Sequence, residues 1–157
     1  MTFVTLPEAK LHLRVDSIDE DALIGLYINA AEQSAVSLLD RGVYADGAAL
    51  GVAKAAAPAE LAAATATYTA AIAAAQALTD ATEQAAATQA AEYAYLRAQV
   101  AYRQTMDGIV VNDVIKSAVL LIVGHLYAHR EDVVAGVSVA KLPNGAEWLL
   151  APYKVYA

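Results

Sequence analysis

Two histidines four residues apart, His125 and His129, stand near the end of the most apolar run of the sequence, VIKSAVLLIVGHLYAHRE (114–131). On a helix that spacing puts both imidazoles on one face, a geometry able to grip zinc. A zinc site also needs further ligands and, in the metalloprotease pattern, a glutamate beside the first histidine. Neither is identifiable. The plainer reading makes His125 a core-edge side chain and His129, with Arg130, a cation suited to the negative end of a helix. The acidic cluster DSIDED (16–21) lacks the ligand spacing and central glycine of a calcium loop. It reads as a helix start, with Ser17 as cap, Glu20 closing the capping box and the other carboxylates at the positive end of the dipole. No glycine-rich phosphate loop, nucleophile elbow or Cys/His metal pattern occurs. Cysteine is absent, which removes disulfides and thiolate chemistry. The expectation is a protein that is not an enzyme, with no catalytic residues, no metal and no cofactor.

The other residues suited to recognition are aromatic. Tyrosine occurs nine times, against one Phe and one Trp. Tyr68, Tyr93, Tyr95 and Tyr102 fall in an alanine-rich stretch. They read either as rigid contacts between subunits or as packing between two helical arms. Trp148, Leu149 and Leu150, beside Tyr153 and Tyr156, read as an anchor for a partner or as a folded-back C-terminal helix. Both hold if the helix folds back and only the tail reaches out.

A chain of 157 residues suits one domain with a buried core. Much of its 59% hydrophobic content is alanine, so that core is smaller than the figure implies. A net charge of −7 argues against a general nucleic-acid binder, though not against a protein that lets DNA pass. The start, MTFVTLPEAK, shows no signal-peptide pattern. The longest apolar run, 118–128, is shorter than the ~20 residues of a membrane span. The expectation is a soluble protein made in the cytoplasm, with no membrane partner.

These residues are positioned by a mostly all-α chain. Thr5 with Glu8 has capping-box spacing and predicts a first helix to Leu13, with Pro7 tolerated in its first turn. A second helix is expected from Ile18 to Leu39, stopped at Arg41-Gly42. Residues 43–57, with three glycines nearby, read as loop. Residues 58–107 are rich in Ala, Thr and Gln, and alanine favours helix. Leu61, Tyr68 and Ile72, and then Tyr93, Leu96 and Val100, give a narrow seam. Thr79-Asp80 with Glu83 marks a second start, so an antiparallel hairpin is expected, each arm of ~21 residues and ~31 Å; one unbroken helix is the alternative. Ile109–Val111 reads as extended, and Asn112 as N-cap of a central helix buried on most faces. A short strand or β-hairpin arm is expected at 133–141, a turn at Pro143-Asn144-Gly145, a short helix from Ala146 to Ala151 stopped by Pro152, and an extended tail. The expected organisation is one domain, 1–157, carrying the alanine-rich hairpin (58–107) as an insertion and a C-terminal tail (152–157).

Three segments, TLPEAKLHLRVDSIDEDALIGLYINAAEQS, NDVIKSAVLLIVGHLYAHRE and LPNGAEWLLAPYKV, together resemble the head–tail connector (adaptor, head-completion) proteins of long-tailed phages and related gene-transfer particles. They cover about half the chain, in the family's order. The resemblance implies a virion protein of the neck: a helical subunit in a homo-oligomeric ring, usually a dodecamer, seated under the portal protein. Such a ring extends the DNA channel, with DNA passing through unread, and helps head completion and tail attachment. It presents a surface to a tail-proximal stopper or tail terminator protein. In the family the C-terminal segment tends to reach into the portal. Carried over, this implies portal contacts at Leu150, Pro152, Tyr153, Val155 and Tyr156. Tyr68, Tyr93, Tyr95 and Tyr102 are then candidates for the subunit interface. The alanine-rich region departs from the compact family pattern. The rival reading is a stand-alone helical interaction module or assembly chaperone with the hairpin as its binding arm.

Overall fold

The computed structural model describes residues 2–129 and 145–156. The expected strand at 133–141, most of the expected turn at 143–145, Arg130 and Ala157 lie outside the described residues. The described elements are α1 (Leu6–Leu13), α2 (Asp21–Leu39), β1 (Val43–Tyr44), α3 (Gly47–Gln76), α4 (Ala81–Met106), β2 (Ile109–Val110), α5 (Asp113–Ala128) and α6 (Ala146–Leu150). A 3-10 turn, Ala151–Tyr153, follows α6. The chain is predominantly α-helical, as its pattern predicts.

Local chemistry sets most helix starts. Thr5 Oγ1 accepts the Glu8 N–H, and the Glu8 carboxylate accepts the Thr5 N–H at 2.7 Å, so the capping box is closed. Asn112 Oδ1 accepts the Ile115 N–H at 2.9 Å and starts α5. Asp80 Oδ1 accepts from Thr82 and Glu83 and starts α4.

The start of α2 differs from expectation. Its N-cap is Glu20, with no side-chain cap bond, and Ser17 bonds only locally to Asp19. The carboxylates are drawn elsewhere. Asp21 takes the Lys10 ammonium of α1 at 2.6 Å, and Glu20 accepts the Tyr127 hydroxyl of α5. Partners on other helices have displaced the local box. The helix ends at Leu39, as expected, and its cap is Asp40, which adopts the left-handed conformation (φ 51) just before Arg41-Gly42.

The loop expected at 43–57 is also corrected. Val43 and Tyr44 pair in parallel with Ile109 and Val110, and α3 begins at Gly47. Residues 48–57 are mostly alanine, whose helix propensity outweighs the glycines and the one lost bond at Pro58 inside α3. The arms are therefore longer than expected, 30 and 26 residues.

Two compact units result: residues up to Asp46 together with those from Ile109 onward, and Gly47–Gly108. In the first, α2 packs on α5, with α1 and α6 against them. Ile24, Ile28, Ala31, Ala35 and Leu39 of α2 meet Ile115, Ala118, Val119 and Val123 of α5, closed by Val4, Ala9 and Leu150. By length and composition α2 alone among the described helices would cross a membrane. Its apolar face is this core. The central helix α5 is covered on most of its faces, as expected. Only Asp113, Ser117, Leu121, His125 and Ala128 are exposed, in one stripe, because α1, α2 and α6 pack around the rest.

Candidate assembly surfaces

The C-terminal segment is held against the end of α2. Leu150 is completely buried in the core, while Trp148, two residues earlier on α6, is exposed. Proline at 152 cannot donate a backbone bond, and the chain passes from α6 into the 3-10 turn there rather than stopping. Tyr153 therefore lies in this turn, not in an extended tail. Its carbonyl accepts from Arg41 Nη1 at 3.1 Å. From Lys154 the backbone is extended, and the Val155 N–H donates to the Leu39 carbonyl at 3.0 Å. That bond satisfies one of the carbonyls that a helix end leaves open. Tyr153 and Val155 are half-buried, whereas Pro152 and Tyr156 face solvent. Lys154 Nζ lies 5.4 Å from the Tyr156 ring centroid, a cation–π distance. Of the five residues proposed for a portal contact, one is core, two are pinned, and two present free side chains.

In the second unit α3 and α4 pack as an antiparallel hairpin. The buried and half-buried positions of α3 include Ala57, Leu61, Ala64, Tyr68 and Ala75; those of α4 include Ala91, Tyr95, Ala98 and Tyr102. Both rows recur every three and four residues, the seam of a two-stranded coiled coil. The Tyr68 and Tyr95 rings stack across it, 4.8 Å between centroids and 19° apart. Hydrogen bonds to Thr65 and then Gln99 hold the Tyr95 phenol below its ordinary value. Tyr102 is also on the seam. The row Tyr93, Leu96 and Val100 was expected there and is not: these side chains are 60%, 54% and 44% exposed. The row that faces in instead alternates small and large side chains, Ala91, Tyr95, Ala98 and Tyr102. Of the four tyrosines singled out, only Tyr93 points clear of the hairpin.

The histidine pair is exposed, with rings stacked 4.6 Å apart. His129 Nδ1 lies 3.2 Å from the His125 carbonyl, near the end of α5. His125 is thus not at the core edge. Among the described residues no group of three or more His, Cys, Asp or Glu side chains is arranged to hold a metal.

Sequence patterns gave no sign of Glu32. This carboxylate is nearly fully buried on α2 and accepts the backbone N–H groups of both Phe3 and Val4. It borders an open groove of about 450 Å³ lined by Phe3, Asn29, Gln33, Val36 and Ser37. A glutamate amid a helical pattern looks like any surface residue until its partner, 28 positions away, is known.

No curated protein and no solved structure matches the chain. Residues 3–154 match the family of phage gp6-like head-tail connector proteins, so the match runs through both compact units and ends just before Val155 and Tyr156. The chain belongs to the phage gp6-like head-tail connector proteins and is a structural component of the virion at the junction of head and tail.

Proposed function

We propose that copies of the chain form a closed ring, a dodecamer on the family pattern, between the portal protein and a tail-proximal stopper or tail terminator protein. The ring extends the DNA channel and completes the head for tail attachment. The family match over residues 3–154 carries this reading. The chain's net charge of −7 supports it, because an acidic lining repels phosphate and lets DNA slide without being held. The role is structural; no catalytic step is assigned to any residue.

Portal contact falls to the C-terminal segment. Leu150 anchors it in the core, the Arg41 and Leu39 bonds hold Tyr153 and Val155, and Pro152 and Tyr156 meet the portal. Docking of a short, pre-ordered aromatic segment costs less conformational entropy than docking of a free tail. Contacts between subunits involve the hairpin. Tyr93 contributes directly, and Tyr68, Tyr95 and Tyr102 contribute by holding the two arms together.

The test is electron microscopy of particles carrying the full chain or a chain truncated after Tyr153. The full chain should appear as a ring between portal and tail. The truncated chain should keep its far-ultraviolet circular dichroism but be depleted from particles. Absence of the full chain from purified particles overturns the ring, and undiminished incorporation of the truncated chain overturns the portal contact.

A further inference from the structure

We propose that the outer face of α4 docks on the outer face of α3 of a second copy, so that the hairpins of neighbouring copies stand side by side. The inference rests on the ring reading and names the surfaces that meet. At 100° per residue, the exposed row Tyr93, Leu96 and Val100 lies about half a turn from the seam row Ala91, Tyr95, Ala98 and Tyr102. The back of α3 is the opposite kind of surface. Ala55, Ala59, Ala62, Ala66, Ala70 and Ala73 are all exposed, follow the same three-and-four spacing, and also lie about half a turn from their own seam. One outer face is a ridge of large apolar side chains. The other is a shallow track of methyl groups.

The two faces match in level as well as in shape. The Tyr68–Tyr95 stack sets the hairpin register, which puts residues 93–100 level with about 63–70 along the antiparallel arms. Copies related by rotation about a common axis keep their levels. The ridge of one copy therefore meets the stretch of its neighbour's α3 where the outer row holds Ala62, Ala66 and Ala70, with Thr69 beside them. Neither row carries a charged residue, and the exposed Glu92 and Arg97 flank the ridge on its two sides. Two unlike faces on opposite sides of one hairpin make a head-to-tail contact, the type that repeats around a ring. Ridge against ridge would stop at a pair and leave the alanine track uncovered.

Size gives a second argument. An α4 of 26 residues is about 39 Å long and about 10 Å wide, so a joint along its whole length covers at most roughly 400 Å² per copy. Even this upper limit is about half of the ~800 Å² per partner in a self-sufficient complex. The joint is thus too small to hold an isolated pair and suits a contact made twice per copy within a closed assembly.

The absence of cysteine in the chain makes the test direct. Leu96→Cys is combined in turn with Ala62→Cys, Ala66→Cys and Ala70→Cys in the full-length chain, and assembled rings are mildly oxidised. Within one copy position 96 and the partner position face opposite sides of the hairpin, too far apart for a disulfide. At least one pair should give a covalent ladder extending past the dimer on denaturing gels, and each single variant should give none past the dimer. Rings visible by electron microscopy that yield no ladder with any pair overturn this inference and leave the ring reading standing. A chain that remains monomeric by light scattering and forms no ring in particles overturns both.

Discussion

Removing the buried carboxylate of Glu32 should loosen the first compact unit more than any surface change. The carboxylate accepts two backbone N–H groups, from Phe3 and from Val4. In Glu32→Ala both donors lose their acceptor, at about 1–3 kcal/mol each. Relief of the desolvated charge offsets part of this. The net expectation is a loss of about 3 kcal/mol. Glu32→Gln keeps an amide oxygen in place but turns charge-assisted bonds into neutral ones, a loss of about 1–2 kcal/mol over two bonds. Amide hydrogen exchange reads this unit by unit. The slowest amides of α2 and α5 should exchange about a hundredfold faster in Glu32→Ala and about tenfold faster in Glu32→Gln, at 1.4 kcal/mol per decade on the scale of ~25 °C. The amides of α4, in the separate unit, serve as internal reference. If Glu32→Ala exchanges within about twofold of the parent, or if Gln is worse than Ala, the reasoning from buried donors is wrong.

Three further outcomes are expected. The Glu8 carboxyl is lowered from 4.5 to about 2, first by the Thr5 backbone N–H and then by the Lys116 side chain. Because the folded value lies below the ordinary one, its contribution is complete above pH 4.5 and is lost as pH falls toward 2. Glu8 is partly exposed, so the ion pair contributes at most about 1 kcal/mol; acid titration of Glu8→Gln should show a shallower loss of stability in that window. Val119→Ala, in a completely buried position, should cost about 1–3 kcal/mol in urea unfolding, against under ~0.5 kcal/mol for Leu121→Ala on the exposed face of the same helix, if Leu121 is measured in the unassembled chain. Tyr68→Ala removes the ring stack between the arms and should speed exchange of the α4 amides several-fold while leaving α2 and α5 unchanged.

The residues proposed for portal and subunit contact were legible in the sequence as kinds of residue, not as places. The tail aromatics stand out by composition, yet only the Leu39–Val155 and Arg41–Tyr153 bonds separate the pinned residues from the free ones. Leu150 reads as one more apolar residue beside them and is a core side chain. Glu32 carries no local signal at all.

What the sequence determined alone is what short-range chemistry controls. Thr5 with Glu8, Asp80 and Asn112 each start a helix by bonding amides two or three residues away, and alanine favours helix through residues 58–76 and 81–106. Tertiary structure decided what depends on competition between distant groups. Glu20 and Asp21 gave up a local cap for Tyr127 and Lys10. The same competition set which row of α4 faces in. Tyr93, Leu96 and Val100 form an all-large apolar row, yet the row that faces in is Ala91, Tyr95, Ala98 and Tyr102, where Tyr95 stacks on Tyr68 of α3. A helix carries every row at once, and only its neighbour's shape selects the one that is buried.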